Sequence, residues 1–94
     1  MAKLMIVRRI IPQPGRVPEA IKWLKEREEQ RKKHGQISQV LARSVTDRNE
    51  YLFVQVWESR QAYDKWRHSE ERAALAKERQ SLLAHEPILF YEVL

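Results

Sequence analysis

The chain contains no cysteine, so a disulfide framework, a thiol nucleophile and a thiolate metal site are all excluded. Glycine is also scarce, with two residues in 94, and no glycine-rich phosphate loop, His-Glu-x-x-His pair or Gly-x-Ser-x-Gly elbow occurs. The apolar run at residues 4–7 is far too short to span a membrane, and we expect no signal peptide before it. The composition therefore predicts a cytoplasmic protein that uses none of these common chemistries.

Acidic residues are fewer than basic ones, 13 against 18, and the formal net charge is +5. A basic surface can attract nucleic acid, anionic lipid or an anionic small molecule. No long block carries a single sign, however, because acidic and basic residues are interleaved in segments such as KWLKEREEQRKK. We therefore interpret the charged run at residues 25–33 as the solvated face of a helix.

Apolar periodicity and turn residues divide the chain into strands and helices. Strands are predicted at residues 3–11, 37–45, 51–57 and 88–94. Helices are predicted at residues 18–33 and from 60 to about His85, the second one broken near Ser69. Ser59 and Ser69 are the expected N-caps, and Gly35 is the expected C-cap glycine. The order β-α-β-β-α-β in one domain, residues 1–94, predicts the α+β ferredoxin-like fold, an antiparallel sheet with helices on one face.

The third predicted strand has two different apolar faces. One face is aliphatic and the other mainly aromatic, with Leu52, Val54 and Val56 on the first and Tyr51, Phe53, Gln55 and Trp57 on the second. We expect the aliphatic face to pack on the helices or on a second sheet, and the aromatic face to line whatever lies opposite. Because the sheet face away from the helices would be exposed in a monomer, we predict a homodimer with sheet packed on sheet.

Aromatic residues are concentrated in residues 50–66, where a pocket is expected if one exists. The candidate pocket-lining residues are Phe53, Trp57, Tyr63 and Trp66. Core packing is the alternative role, favoured for Trp57 and evenly balanced for Trp66, because aromatic pairs at helical spacing more often belong to a core. His68 is the catalytic candidate, for proton transfer, and an exposed position at a helix end is its alternative.

Other residues receive structural interpretations. His34, His68 and His85 are too scattered in the sequence for us to propose a metal site. We expect His34 to lie at the C-terminal end of the first helix, where it caps the helix. Trp23 lies beside the apolar stripe of that helix and is expected to cover the sheet edge or a partner.

RNA binding is an alternative, because the RNA-recognition motif has the same order of strands and helices. Its third strand carries a K/R-G-F/Y-G/A-F-V-x-F/Y signature, of which Tyr51, Phe53 and Val54 match three positions. The first predicted strand offers no aromatic ring on which a base could stack. Nucleic acid is therefore a disfavoured partner, supported mainly by the basic charge.

The run Trp57-Glu58-Ser59-x-x-Ala62-Tyr63-x-x-Trp66-x-x-Ser69 resembles the strand-to-helix junction of the antibiotic biosynthesis monooxygenase-like (ABM) family, which are small dimeric α+β barrel proteins. The Pro14-Gly15 loop and the overall length also fit. The resemblance implies a homodimer whose two sheets face each other, with a cavity between helices and sheet in each subunit. It also implies cofactor-independent oxidation of a small aromatic, phenolic molecule by O₂, because some members convert phenolic polyketides into quinones in this way.

A second branch of the family degrades haem, and the resemblance extends to Trp66, one of three key residues there. The other two are an asparagine in the first strand and a haem-ligating histidine ten residues after the tryptophan. Here residues 3–11 contain no asparagine, and the histidine position is Ala76. We therefore expect no cofactor and no haem degradation. A non-catalytic dimeric barrel that binds an apolar ligand, or haem without degrading it, is the alternative.

Overall fold

A computed structural model describes residues 2–84 and 87–94 of the chain. The elements follow one another as β1 (Leu4–Ile10), α1 (Val17–Glu26), α2 (Glu28–Lys33), β2 (Gln36–Arg43), β3 (Tyr51–Trp57), α3 (Arg60–Arg67), α4 (Glu70–Ala73), α5 (Ala76–Leu82) and β4 (Ile88–Glu92). The strands lie within two residues of their predicted bounds, and β3 matches its prediction. His85, the predicted end of the second helix, lies outside the described residues.

The four strands form one antiparallel sheet in the order β2-β3-β1-β4. The central strands β1 and β3 pair with Ile6 opposite Gln55, and β4 flanks β1 with Phe90 opposite Ile6. Helices connect β1 to β2 and β3 to β4, so the connectivity is the split βαβ arrangement. The predicted α+β ferredoxin-like fold is therefore confirmed.

Two clusters of buried side chains fill the space between the sheet and the helices. The first contains Ile10, Ala20, Trp23, Leu24, Tyr51, Phe53, Leu82 and Leu83. The second contains Leu4, Ile6, Trp57, Tyr63 and Trp66. The aromatic face of β3 thus packs against the helices, because its large rings bury the most apolar surface there. The aliphatic face of β3 therefore does not pack on the helices. Trp23, which was expected to cover the sheet edge or a partner, is instead a core residue.

The first predicted helix is not continuous, because Arg27 separates α1 from α2. The Arg27 N–H donates to the Leu24 carbonyl at 3.4 Å, which tightens the backbone into a single 3₁₀-type turn. The Arg31 guanidinium donates to the same carbonyl at 3.0 Å. The prediction of one helix over residues 18–33 is wrong at this point, because a side-chain donor enters the backbone ladder.

The second helical region breaks at Ser69 as predicted and breaks once more at residues 74–75, between α4 and α5. The last segment ends at Leu82, because Leu83 is extended and bridges Pro12. The Gln13 N–H also donates to the Leu82 carbonyl at 2.8 Å. The expectation of one helix after Ser69 is therefore wrong, because the Leu75 N–H donates to the Arg72 carbonyl at 3.0 Å in a 3₁₀-type turn that separates α4 from α5.

The predicted caps are confirmed. Ser59 Oγ accepts a hydrogen bond from the Ala62 N–H at 3.0 Å, and Ser69 Oγ accepts one from the Arg72 N–H at 3.1 Å. Each serine satisfies one of the free N–H groups at a helix N-terminus. Gly35 follows α2 with a φ of 112°, a conformation that side chains with a Cβ rarely adopt. These caps determine where the two aromatic residues of α3 meet the sheet.

The second face of the sheet points away from the helices. Its apolar side chains are Met5, Val7, Val40, Ala42, Leu52, Val54, Val56, Leu89 and Tyr91, which we call the open sheet face. Val40 is 59% exposed and Leu89 is 53% exposed, so the described elements leave this face uncovered. None of the described helices combines the length and the apolar character needed to cross a membrane.

Candidate functional site

A cavity lies between the helices and the sheet, beside Trp66. Water-sized molecules can occupy about 30 Å³ of it, inside an indentation of about 470 Å³ that includes open solvent. Its described lining consists of Arg8, Trp23, Leu24, Arg27, Arg31, Phe53, Gln55, Tyr63, Trp66, Arg72, Leu75 and Arg79. The lining therefore combines four aromatic rings with five guanidinium groups.

Three of the four predicted pocket-lining residues, Phe53, Tyr63 and Trp66, meet at this cavity. The fourth, Trp57, is fully buried and packs edge-on against Tyr63 with ring centroids 5.4 Å apart. Its indole N–H donates to Gln55 Oε1 at 3.0 Å. Trp57 thus supports the cavity from behind, whereas Trp66 both packs in the core and lines the cavity.

His68, the predicted candidate for proton transfer, is exposed at the C-terminal end of α3. It is not one of the described lining residues, so the structure does not bring it to the cavity. Its catalytic role stays a prediction. The histidine that does contact the aromatic cluster is His34, whose ring centroid lies 4.7 Å from that of Trp66.

His34 is the C-cap residue of α2, as expected, and it also links the two helical regions. Its Nε2 lies 3.0 Å from Glu71 Oε1, and Gln30 Nε2 donates to Glu71 Oε2 at 2.6 Å. These two hydrogen bonds, that of Gln30 first, lower the pKa of the Glu71 carboxyl. The network holds α2 against α4 and fixes one side of the Trp66 ring.

The arginines were missed by sequence reasoning. The interpretation of residues 25–33 as a solvated face is wrong for Arg31, which is only 7% exposed. Its guanidinium is held inside because Nη1 donates to the Leu24 carbonyl and to Gln39 Oε1, each at 3.0 Å. The sequence did contain one indication of a buried arginine. Arg8 shares the buried face of β1 with the apolar residues two positions before and after it.

Arg31 is a buried charged residue of the lining, and its hydrogen-bond partners are known. Its guanidinium carbon lies 5.0 Å from the centroid of the Phe53 ring. Burial, followed by repulsion from Arg8, Arg79, Arg27 and Arg72, lowers the pKa of Arg31 to about 9. Among the described residues no carboxylate lies within ion-pair distance of it.

Several polar groups of the lining have no partner within the described part of the chain. These buried atoms are Trp23 Nε1, Arg27 Nε and Tyr63 Oη. Gln55, by contrast, accepts hydrogen bonds from both Trp57 and Gln36. A buried donor without a partner costs about 1–3 kcal/mol. A ligand atom that accepts a hydrogen bond from one of these donors would remove that cost.

The lining does not fit a haem. Haem iron takes axial ligands from histidine, cysteine, methionine or tyrosinate, and the described lining contains none of the first three. Tyr63 is the remaining donor, and its ring is packed between Trp57 and Phe90. Ala76, the position of the family's haem ligand, is the first residue of α5 and offers no donor atom. Residues 2–84 and 87–94 also contain no cluster of metal-binding side chains.

Solved structures similar to this one cover nearly the whole chain. SnoaB, a cofactor-independent oxygenase from Streptomyces nogalater, superposes with a TM-score of 0.84 over 100% of this chain and 95% of its own, at 15% identity. A candidate antibiotic biosynthesis monooxygenase from Bordetella bronchiseptica gives 0.84 over 100% and 99%, at 18% identity. The protein PA3566 from Pseudomonas aeruginosa gives 0.80 over 100% and 96%, at 16% identity. At these identities the likeness shows a shared fold.

Sequence comparison gives a more direct assignment. No curated protein sequence matches the chain significantly. The profile of the family described as "Antibiotic biosynthesis monooxygenase" does match, over residues 3–87, which is most of the chain. The junction motif that suggested this family, from Trp57 to Ser69, lies within the matched region. The chain therefore belongs to the antibiotic biosynthesis monooxygenase family.

Proposed function

We propose that this protein is a cofactor-independent monooxygenase that oxidises a small phenolic molecule with O₂. The observation that carries the proposal is the cavity beside Trp66, where aromatic rings for packing adjoin guanidinium groups that favour an oxyanion. The family and the fold shared with SnoaB, a cofactor-independent oxygenase, support the reaction class.

The guanidinium groups supply the first catalytic contribution. A phenol in the cavity would meet several positive charges, and opposite charge lowers the pKa of an acid, so the phenolate would predominate. The phenolate supplies all the electrons that reduce O₂. One oxygen atom becomes the second carbonyl of a quinone, and the other leaves as water with the hydroxyl proton and the displaced ring hydrogen.

Positioning is the second contribution. The rings of Phe53 and Trp66 would confine the substrate, and the Tyr63 hydroxyl, which has no partner among the described residues, would donate to its oxyanion. A volume of about 30 Å³ holds roughly two waters, whereas ligand pockets span roughly 300–1,000 Å³. Binding therefore requires side chains to move outward, and the half-buried Arg27, Arg72 and Arg79 are placed to do so.

Oxygen uptake by the pure protein tests the proposal. We expect consumption of O₂ and quinone formation with at least one phenol from a series of naphthols and dihydroxynaphthalenes, above the rate of autoxidation. Arg72→Gln should lower the rate, because Arg72 lines the cavity, while Arg67→Gln removes an exposed arginine of α3 and should not. Absence of turnover with every phenol of the series would remove the proposal's support.

Assembly as a homodimer through the open sheet face is part of the proposal. An uncovered apolar face of this extent is costly in water, and a second copy would bury it. Light scattering at micromolar concentration should give twice the chain mass. Val54→Lys, at the centre of the face, should yield monomers, whereas Val45→Lys changes an exposed valine outside the face and should not. A wild-type monomer would contradict the dimer.

A binding protein without catalysis is the second candidate, and the observation that favours it is that the described lining contains no histidine or carboxylate to transfer a proton. It would bind an aromatic ligand tightly without consuming O₂, which calorimetry and an oxygen electrode separate. Base stacking on β3 is disfavoured, because Tyr51 and Phe53 face the helices and are 6% and 1% exposed. A cytoplasmic location stays a prediction.

A further inference from the structure

The cavity carries an excess of positive charge that packing alone does not explain. Five arginines line it, from β1, the α1–α2 junction, α2, α4 and α5, and no carboxylate of residues 2–84 or 87–94 does. Bringing like charges together inside a protein is unfavourable, and burial adds a desolvation cost to each. The fold thus gathers five cationic side chains at one point.

Two carboxylates lie near the cluster, and neither points into the cavity as a lining residue. Glu78 lies 3.8 Å from Arg27 at a position where its own side chain is 54% exposed. Glu71 accepts from Gln30 and lies against His34. Neither lines the cavity. Glu78 therefore offsets part of the charge of Arg27, and neither carboxylate forms an ion pair with Arg31 or Arg72.

Three of the arginines have donors to spare. The side chain of Arg72 makes no hydrogen bond or ion pair within the described residues, and Arg27 Nε is buried without a partner. Arg31 uses Nη1 for both of its hydrogen bonds, which leaves its Nη2 for a ligand. Arg8 and Arg79 have interactions of their own and add their charge.

We propose that the natural ligand of this cavity carries a permanent oxyanion, a carboxylate or a phosphate, in addition to its aromatic ring. The oxyanion would lie between Arg31 at the floor and Arg72 at the mouth, with the ring against Trp66. The planar guanidinium fork matches both oxyanions, which accept two hydrogen bonds at once. A volume of about 30 Å³ suits such a compact group better than a ring. The inference deepens the proposed function by specifying the class of its substrate.

Isothermal titration with matched naphthalene derivatives tests this directly. Naphthoate and naphthyl phosphate carry the oxyanion at neutral pH, and naphthol carries the same ring with a neutral hydroxyl. We expect at least one of the anions to bind ten-fold or more tightly than naphthol. The preferred anion distinguishes the two sources of the oxyanion. Its affinity should also fall as potassium chloride is raised, because salt screens charge attraction.

Charge-removing variants locate the binding site. Arg72→Gln should weaken the preferred anion ten-fold or more and weaken naphthol, which becomes charged only on losing its proton in the cavity, by a factor at least three-fold smaller, and Arg31→Gln should do the same. Arg67→Gln removes an equal charge from an exposed position outside the lining and should change neither affinity by more than two-fold. If Arg31→Gln does not fold, the anion affinity of Arg72→Gln still tests the inference, because Arg72 is only half-buried.

Two results would overturn the inference. One is equal affinity for naphthol and both anions, and the other is an equal loss of anion binding in Arg67→Gln and Arg72→Gln. The outcome is separable from that of the proposed function, since titration needs no turnover. Anion binding without O₂ uptake would refute the oxygenase alone. Turnover of neutral phenols without any anion preference would refute the oxyanion alone.

Discussion

Replacement of Arg31 by methionine measures what the buried charge costs this fold. Methionine keeps most of the side-chain length and removes the guanidinium, its two hydrogen bonds and its charge. The fall in the pKa of Arg31 from the usual range of an arginine to about 9 corresponds to about 5 kcal/mol against the charged form, at about 1.36 kcal/mol per pH unit. That cost is present at neutral pH, where Arg31 is protonated in both the folded and the unfolded chain.

Hydrogen bonds offset much of this cost. Arg31 donates to the Leu24 carbonyl and to Gln39 Oε1, and methionine would leave both acceptors without this donor, at a cost of about 1–3 kcal/mol each. The two effects nearly cancel, so we expect Arg31→Met to change the free energy of unfolding by less than about 2 kcal/mol at pH 7. Truncation of a buried ion pair would instead cost about 3–5 kcal/mol.

The pH dependence gives a sharper test than the absolute value. Above pH 9 the unfolded chain keeps the proton on Arg31 while the folded chain releases it, because the pKa of Arg31 is lowered in the folded state, so the wild type gains stability as pH rises. From pH 7 to pH 10 the wild type should gain about 1 kcal/mol relative to Arg31→Met. Other titrating groups contribute equally to both proteins and cancel in the difference.

Urea unfolding at one protein concentration, followed by tryptophan fluorescence at pH 7, 8.5 and 10, measures the difference. Arg67→Met is the matched control, since Arg67 is exposed, and its difference from the wild type should not depend on pH. If Arg31→Met and the wild type change in parallel over this range, Arg31 keeps its proton throughout. The conclusion that burial lowers the pKa of Arg31 would then be wrong.

Three further substitutions test the elements that build the cavity. Gly35→Ala should lower the free energy of unfolding in urea by about 2 kcal/mol or more, since φ is 112° and the new Cβ would lie 3.0 Å from that of Ala62. Gly15→Ala, which has open space around its Cβ, should lower it by less. Ser59→Ala should lower the free energy of unfolding by about 1 kcal/mol through loss of the α3 N-cap, and an unchanged value would contradict that role. Tyr63→Phe removes a buried hydroxyl without a described partner, so stability should stay within about 0.5 kcal/mol while oxygen uptake falls; a large loss of stability would point to a missing hydrogen bond.

Local signals explain what could be predicted of the fold. The bounds of β3 follow from its apolar alternation, and the start of α3 follows from the Ser59 hydroxyl, which acts on an N–H three residues away. The break at Ser69 has the same origin. The helix breaks at Arg27 and near Leu75 could not be predicted from such local signals. They depend on groups distant in space, such as the Arg31 guanidinium on the Leu24 carbonyl.

The candidate site divides in the same manner. Tyr63 and Trp66 were predicted at a pocket because their aromatic surface is visible in the sequence, and both line the cavity. His68 was placed beside them by its position in the chain, yet the end of α3 leaves it exposed. His34, thirty-two residues before Trp66, contacts the indole ring because the C-terminal end of α2 lies against α3, with Gly35 beside Ala62.

The sequence by itself determined the family, the order of the elements and the aromatic half of the cavity, since these depend on periodicity, capping and a short junction motif. Only the tertiary structure decided the cationic half. Within a charged segment, Arg31 is indistinguishable by type from its exposed neighbours, and Arg72 and Arg79 lie 41 and 48 residues further along the chain. Their convergence follows from the turn at Arg27 and the packing of α2, α4 and α5, which combine hydrogen bonds and burial across distant parts of the chain.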